Sequence, residues 1–303
     1  MPARRSRAWL TGLSRLASAS TMAIDLHTHS SFSDGSDTPD ELLERAAAMR
    51  LTSIALTDHD TLEGIPDAQG AADRHGIELI PGTELSLEYS KGGMHLVVLW
   101  LEPRPGPLQD RLAELREGRD ERNTRIVERL GALGLPIELE EVLAEAGQGS
   151  VGRPHIAAVM VRHGYVDSME QAFDEYLGND RKAYVGRERL EPDEAIRLAR
   201  ASGGVPILAH PHTLGIDNRF EMADILIELR AHGLVGIECH YGSYPADGRS
   251  GMVALADRFG LIPSGGSDYH GTYKVDVALG IGRAGIAVPE SILDDLRHFA
   301  VPA

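Results

Sequence analysis

Residues 23–29 read Ala-Ile-Asp-Leu-His-Thr-His, an apolar run that ends in side chains able to bind metal. Side chains alternate along a strand, so His27 and His29 would point to the same side and could chelate one ion. Asp34 follows in the next loop and could add an oxygen ligand. Because a His-x-His pair also occurs by chance in many chains, this motif alone is weak evidence for a metal site.

The same alternation of apolar and helix-like segments continues outward from this run. Strands are predicted at residues 23–26, 53–57, 78–80, 94–101, 205–209, 235–238 and 262–264, with helices at 38–49, 65–75, 192–201, 221–231 and 249–259. Pro39 suits the first position of the first helix, since its missing N–H is not needed there. Strands that alternate with helices are typical of parallel β-α units. We therefore expect an α/β barrel.

Residues 103–184 interrupt this alternation. They are charged and helical in pattern, with helices predicted at 108–133, 138–146, 153–162 and 168–177 and no convincing strand. We predict a helical insertion that forms a lid or wall over the site, while residues 22–102 and 185–303 form the barrel. A coiled-coil-like dimerisation arm is the alternative for this region.

Composition excludes several classes of protein. The chain of 303 residues is 42% hydrophobic and 5% aromatic, as in an ordinary soluble enzyme, and none of its apolar runs reaches the roughly 18 residues of a membrane span. The net charge of −16 argues against binding of a long nucleic acid duplex. The single cysteine, Cys239, fits a reducing cytoplasm. We expect a cytoplasmic protein with no membrane partner, and the oligomeric state stays open.

The first twenty residues differ from the rest, because they contain four arginines and no acidic residue. An arginine-rich and serine-rich start can resemble a targeting sequence. We favour a disordered extension or an over-long gene start for residues 1–21.

Four further clusters of metal-ligating residues follow apolar runs or lie close to them. In a barrel, the ends of the strands form the rim on which active sites are built. Unpartnered buried charges would cost several kcal/mol each, and metal ions remove that cost. We therefore predict a metal centre from Thr57-Asp58-His59-Asp60, from Gly82-Thr83-Glu84 with His95, from Ala209-His210-Pro211-His212, and from Gly266-Ser267-Asp268-Tyr269-His270.

Together these motifs resemble the PHP (polymerase and histidinol phosphatase) family, and the resemblance covers roughly residues 24–283. It implies a distorted (β/α)7 TIM-like barrel of the amidohydrolase-like kind, with two or three divalent metal ions. Nitrogen and oxygen ligands suit manganese, which we expect, as well as iron or zinc. The implied ligands of the three ions are His27, His29, Glu84 and Asp268; Glu84, His95 and His210; and Asp34, His59 and His270.

The resemblance also places residues around the substrate. Arg153, in the stretch Gly152-Arg153-Pro154-His155, is predicted to clamp a phosphate, although a surface charge at a helix start is the simpler interpretation. His212 is predicted to contact phosphate or to act as general acid, and Asp58 to orient a metal-bound imidazole. Further candidates to line the pocket are His155, Lys182, Tyr184, Glu238 and His240.

The implied activity is phosphoester hydrolysis by metal-activated water. The subgroup that the chain most resembles releases the 3′-phosphate of nucleoside 3′,5′-bisphosphates, leaving AMP from the adenosine compound, and trims short RNA from its 5′ end. We therefore expect a small nucleotide or short RNA as substrate. Three alternatives stay open: another phosphomonoesterase, such as one that acts on histidinol phosphate; a non-catalytic accessory module that binds a polymerase; and an amide hydrolase with a similar metal barrel.

Overall fold

The structure is a computed structural model, and it describes residues 23–146, 151–186, 188–283 and 285–300. The predicted extension at residues 1–21 lies outside the described residues.

Seven strands form one sheet in which neighbours along the chain are neighbours in space. Backbone bonds also connect β1 with the segment after β7, since Asp268 N donates to His27 O and His29 N donates to Tyr269 O, both at 2.9 Å. The sheet is therefore nearly closed, and the prediction of a TIM-like barrel is confirmed. The strands are β1 (Ala23–Thr28), β2 (Leu51–Leu56), β3 (Glu78–Leu87), β4 (Met94–Leu99), β5 (Val205–Ala209), β6 (Gly236–Tyr241) and β7 (Ile262–Gly266).

The fourth strand corrects the prediction of parallel units. β4 runs antiparallel to both β3 and β5, while the other neighbouring pairs are parallel. The connection from β3 to β4, residues 88–93, is too short for a parallel crossover, which needs about a dozen residues or more. As a result His95 lies near the start of β4 and pairs with Ala209 at the end of β5. β3 also extends seven residues past its predicted end, so that Glu84 lies inside a strand.

Ten helices surround or adjoin the sheet in the described ranges. The first begins in a capping box, in which Glu41 N donates to Thr38 Oγ1 at 3.3 Å and Thr38 N donates to the Glu41 carboxylate at 2.8 Å. No helix in the described ranges is both long enough and apolar enough to span a membrane. The helices are α1 (Pro39–Ala48), α2 (Ile65–His75), α3 (Pro107–Ala132), α4 (Leu139–Ala146), α5 (Arg153–Arg162), α6 (Met169–Ala172), α7 (Pro192–Ala201), α8 (Arg219–His232), α9 (Ala246–Phe259) and α10 (Ser291–Arg297).

The second half of α3 and helices α4 to α6 share a hydrophobic core, while Leu108, Leu112 and Leu115 in the first half of α3 pack in a cluster of the barrel. Ile126 and Leu130 of α3 are buried against Ile156, Val159 and Met160 of α5, in a cluster separate from the two clusters of the barrel. A π-helical turn at Phe173–Leu177 continues α6. These helices lie between β4 and β5, where residues 103–184 are predicted to form the insertion.

Candidate metal centre

One end of the barrel gathers all nine predicted metal ligands. The ends of β1, β2, β5 and β7, together with the interior of β3 and the start of β4, contribute these side chains. Three groups of them have ligand atoms within 4.8 Å of one another: His27, His29, Glu84 and Asp268; His29, Asp34, His59 and His270; and His59, Glu84 and His95. The ninth, His210, has its Nε2 atom 2.7 Å from Glu84 Oε1. Their role as ligands stays a prediction.

Glu84 is the centre of this arrangement, because both oxygens of its buried carboxylate face imidazole rings. Contacts from five histidines converge on it: His95 Nδ1 at 2.9 Å and His210 Nε2 at 2.7 Å from Oε1, and His27 Nε2 at 3.1 Å, His29 Nε2 at 3.2 Å and His59 Nδ1 at 3.3 Å from Oε2. A carboxylate placed in this way can bridge two cations.

The donor set fits divalent cations. His27 Nε2 and His29 Nε2 lie 3.1 Å apart and face the carboxylate oxygens of Glu84 and Asp268. Because His27 Nδ1 contacts a carboxylate on its other side, we assign its proton there, which leaves the Nε2 lone pair directed into the cluster. The Nδ1 atom of His59 is buried and makes no hydrogen bond within the described residues. Nitrogen and oxygen lone pairs that converge in this way are a suitable ligand set for a divalent cation.

The pKa values describe the same environment. Burial lowers the pKa of His29, but hydrogen bonds to Asp268 and Glu84 outweigh burial and raise it to about 9. Burial raises the pKa of Glu84, but the charges of His59 and His27 bring it well below its usual range. The pocket therefore stabilises carboxylates and positive charge together, as a cation site does.

A second layer of contacts holds the ligands in place. Glu238 Oε1 accepts from His27 Nδ1 at 2.8 Å, and its Oε2 accepts from His210 N at 2.6 Å. Asp268 Oδ2 accepts from Tyr241 Oη at 2.7 Å and from Lys274 Nζ at 2.8 Å, while its Oδ1 faces His27 and His29. Such outer partners fix the orientation of ligands.

Asp58 contacts serines rather than an imidazole ring. Its Oδ1 accepts from Ser30 N at 2.8 Å and Ser33 Oγ at 2.6 Å, and its Oδ2 accepts from Ser30 Oγ at 2.6 Å. It reaches the histidines indirectly, since Ser33 Oγ lies 3.5 Å from His29 Nδ1. In the structure Glu238, rather than Asp58, makes the direct contact with an imidazole ring that was predicted for Asp58. Asp58 holds the loop that carries Asp34.

Close packing at this rim explains one glycine of the motifs. A Cβ atom on Gly266 would lie 2.4 Å from the Cβ atom of His27. Only glycine therefore lets β7 approach β1 at this point and bring Asp268 next to His27.

A cleft of about 290 Å³ opens at the cluster and is lined by two groups of side chains, candidate metal ligands and arginines. We call them the ligand wall and the arginine wall. Asp34, His59 and His95 form the ligand wall. The arginine wall contains Arg119 and Arg122 from α3, Arg153 from α5, and Arg189 from the segment before α7.

Sequence reasoning found Arg153 but missed the other three arginines. Arg119 and Arg122 are 6% and 7% exposed, although they belong to a helix rich in charged residues. Their spacing of three residues places them on one face of α3 and was the available signal. It did not single them out, since exposed arginines of the same helix have similar spacing.

Two predicted substrate residues line the cleft. Arg153 donates to Leu177 O at 2.9 Å and to Asn179 Oδ1 at 3.3 Å. His155 Nδ1 accepts from Gly152 N at 3.0 Å, and burial lowers the pKa of its ring.

The other candidates lie elsewhere. His212, Lys182 and His240 are not among the described residues that line the cleft. His212 packs beside His210 with ring centroids 6.1 Å apart, and Lys182 lies over the Tyr176 ring at 4.8 Å. Tyr184 lies near Arg153, whose guanidinium carbon is 5.9 Å from the centroid of its ring.

Comparison with known proteins agrees with this geometry. The PHP domain family matches residues 25–116. A 3′,5′-nucleoside bisphosphate phosphatase of Chromobacterium violaceum is 35% identical over 253 residues, which cover 82% of this chain and 87% of that one. A 5′-3′ exoribonuclease of Haemophilus influenzae is 35% identical over 250 residues, which cover 82% and 90%.

The fold agrees as well. A solved structure from Bifidobacterium adolescentis, assigned by name to the metal-dependent phosphoesterases, superposes with a TM-score of 0.81 at 30% identity and covers 92% of this chain and 96% of that one. The metal-ligating rim, the barrel and these relatives lead to one conclusion: the chain belongs to the PHP family.

Proposed function

We propose that this protein is a metal-dependent phosphoester hydrolase that removes the 3′-phosphate from nucleoside 3′,5′-bisphosphates. The observation that carries the proposal is the cleft, with candidate metal ligands on one wall and four arginines on the other. Bound metal ions and the arginines would be two separate sources of positive charge, which suits a substrate with two phosphates. The relative named as a 3′,5′-nucleoside bisphosphate phosphatase supports this substrate class.

The resident cofactor in this proposal is two or three divalent ions, with manganese expected and iron or zinc compatible with the same ligands. When bound, such ions lower the pKa of water and neutralise charge on phosphoryl oxygens. Glu84 and the surrounding imidazoles would hold them, and Glu238 keeps His27 and the His210 backbone in position. Asp58 holds the loop that presents Asp34.

The arginine wall orients the substrate. A guanidinium group offers a planar fork of N–H donors that can bind two oxygens of one phosphate. Arg153 and its neighbours in the cleft would bind the 5′-phosphate, while the 3′-phosphate meets the ligand wall. We also propose that residues 103–184 form the insertion. Its helices α3 and α5 supply three of the four arginines of the cleft.

His212 is the proposed general acid for the leaving 3′-oxygen. Its ring adjoins that of His210 and is within 3.2 Å of Tyr244 Oη. Burial, followed by the charge of His210, lowers the pKa of His212 below its usual value. A lowered pKa makes the protonated ring a stronger acid.

Short RNA is a second candidate substrate that the same geometry accommodates. The first nucleotide of a 5′-phosphorylated RNA carries a phosphate on its 5′ side and a phosphodiester on its 3′ side, with the same spacing as in a nucleoside bisphosphate. The relative named as a 5′-3′ exoribonuclease favours this reaction. The net charge of −16 disfavours a long duplex. A cytoplasmic location, where such substrates occur and Cys239 stays reduced, completes the proposal.

A phosphate-release screen with Mn²⁺ tests the function. The substrates are nucleoside 3′,5′-bisphosphates, the matching 3′-monophosphates, short 5′-phosphorylated RNA and histidinol phosphate. We expect the highest kcat/KM for a bisphosphate, loss of activity after chelation, and recovery when metal is added back. A preference for histidinol phosphate, or activity that survives complete metal removal, would contradict the proposal. Recovery of a polymerase in a pull-down without turnover of any ester would favour the accessory-module alternative.

A further inference from the structure

We infer that Asp60 is a positioning residue that sets the preference of the cleft for substrates with a second phosphate, by holding the guanidinium of Arg119. The inference rests on the proposed function. Asp60 belongs to one of the predicted metal motifs, but it is in none of the three groups of candidate ligands found among the described residues. Asp60 follows His59 directly in the sequence.

Asp60 connects the arginine wall to the barrel. Its Oδ2 atom forms an ion pair with Arg119 NH2, and the two side chains are 3% and 7% exposed. Its Oδ1 atom accepts from Ser86 N at 3.2 Å, and its own N–H donates to Glu84 O at 3.0 Å. Asp60 therefore connects the backbone of β3 with a side chain of α3.

The backbone of Asp60 gives a second reason to assign it a role. Its φ angle is +54°, in the left-handed region that favours glycine. Glycine would adopt this conformation without strain, and aspartate and asparagine are the side chains that tolerate it best. A buried carboxylate at such a position indicates that the side chain itself is needed.

The ion pair explains how a buried arginine can serve the cleft. A guanidinium that is largely removed from water needs a fixed counter-charge, or it will turn toward solvent. It has five N–H donors, so a carboxylate at one edge is compatible with an oxyanion at another. Arg119 lines the cleft together with His59 and His95. Asp60 thus fixes Arg119 at a defined position relative to the ligand wall, where the distance between two phosphates of one substrate can be recognised.

The variant Asp60→Asn tests this with little change in size or in backbone preference. The first measurement is the affinity for adenosine 5′-monophosphate, the reaction product that keeps the second phosphate, by calorimetry on the metal-loaded full chain. We expect binding about 10-fold weaker than in the unmodified protein, as for one misaligned charge-assisted hydrogen bond. The second is the ratio of kcat/KM for the 3′,5′-bisphosphate to that for the 3′-monophosphate, which should fall by a similar factor. Metal content should stay the same.

A double-variant cycle separates positioning from a purely structural role. If Asp60 acts through Arg119, Asp60→Asn added to Arg119→Met will have little further effect on the affinity for the 5′-monophosphate. The matched control is Asp73→Asn, an exposed change on α2 that should leave both measurements unchanged.

Several outcomes would overturn the inference. Equal loss on both phosphate substrates, reduced metal content, or full additivity with Arg119→Met would show that Asp60 only supports the fold. Because the binding measurement needs no turnover, an unmodified protein that binds the 5′-monophosphate but hydrolyses no ester would reject the proposed function and leave this inference to be judged on affinity.

Discussion

The two walls of the cleft are built on different kinds of backbone. Asp34 and His59 of the ligand wall follow β1 and β2, and His95 lies near the start of β4. The hydrogen-bond ladder of the barrel fixes these strands. Three residues of the arginine wall come from α3 and α5, which contribute to a separate core, although the first half of α3 packs against the barrel. Metal ligands need distances correct to a few tenths of an ångström, and a guanidinium on a long side chain needs a contact such as that of Asp60 with Arg119 to hold a defined position.

The charged groups of the two sides of the cleft also differ. On the ligand side, buried carboxylates such as Glu84 have pKa values well below the usual range because imidazoles surround them. On the other wall, guanidinium groups stay charged at any physiological pH. A change at a candidate metal ligand should therefore reduce metal binding, and a change on the arginine wall should reduce substrate affinity while metal binding persists.

The largest effect is expected for Glu84→Gln. Five imidazoles contact this carboxylate, and an amide provides one oxygen acceptor without the negative charge. Loss of an outer partner of a metal ligand lowers affinity or activity by about 10–100-fold, so loss of the shared ligand should lower kcat/KM by at least about 10³-fold. Metal content per chain, measured by elemental analysis, should fall with the activity.

The matched control is Glu88→Gln, an exposed glutamate one residue beyond the end of β3. It should keep its metal content and its activity. If Glu84→Gln kept full metal content with normal turnover, the central role of this carboxylate would be wrong.

An intermediate effect is expected for His212→Asn. His212 belongs to neither wall, and its proposed role is to donate a proton rather than to bind metal or phosphate. Loss of a general acid typically costs about 100-fold or more in rate. The loss should appear with a nucleoside bisphosphate but not with 4-nitrophenyl phosphate, whose leaving group needs no proton. A similar loss on both substrates would instead assign His212 to structure or to phosphate binding.

The pH dependence of kcat provides a second test of His212 as the general acid. Burial lowers the pKa of His212 below its usual value. A general acid acts when protonated, so its contribution is complete below that lowered pKa and decreases as the pH rises through it. The descending part of the kcat profile should therefore weaken or vanish in the asparagine variant.

The sequence predicted the cluster of candidate metal ligands better than the arginine wall for a physical reason. Ligands such as His27, His29 and Asp268 follow apolar runs directly, and the ends of parallel strands meet at one rim, so local motifs were enough to predict the cluster. The arginines depend on how α3 packs against the barrel. The burial of Arg119 and Arg122 is a property of that packing, which the sequence of a highly charged helix does not reveal.

Chain direction and supporting contacts were also hard to predict. The antiparallel direction of β4 follows from the short connection between β3 and β4, yet the apolar pattern of a strand is the same in both directions. Asp58 and Glu238 both adjoin candidate ligands, and only the structure shows that Glu238 faces His27 while Asp58 faces Ser30 and Ser33. Such pairings depend on side-chain directions at long sequence separation.

The smallest effect is expected for Arg153→Ala, which tests the arginine wall without touching the cluster. Arg153 lines the cleft and also donates to Leu177 O and Asn179 Oδ1, so its loss should remove one phosphate contact. One charge-assisted hydrogen bond corresponds to a rise in KM of about 10-fold, with kcat and metal content nearly unchanged.

Lys182→Ala is the matched comparison, because Lys182 is also a cation stacked on an aromatic ring but is exposed and does not line the cleft among the described residues. If both variants raised KM equally, general positive charge rather than a defined wall would account for substrate binding, since screened surface charges act without fixed geometry. A rise confined to Arg153→Ala, and larger for a 3′,5′-bisphosphate than for a 3′-monophosphate, would show that the helices contribute a specific phosphate site to the cleft.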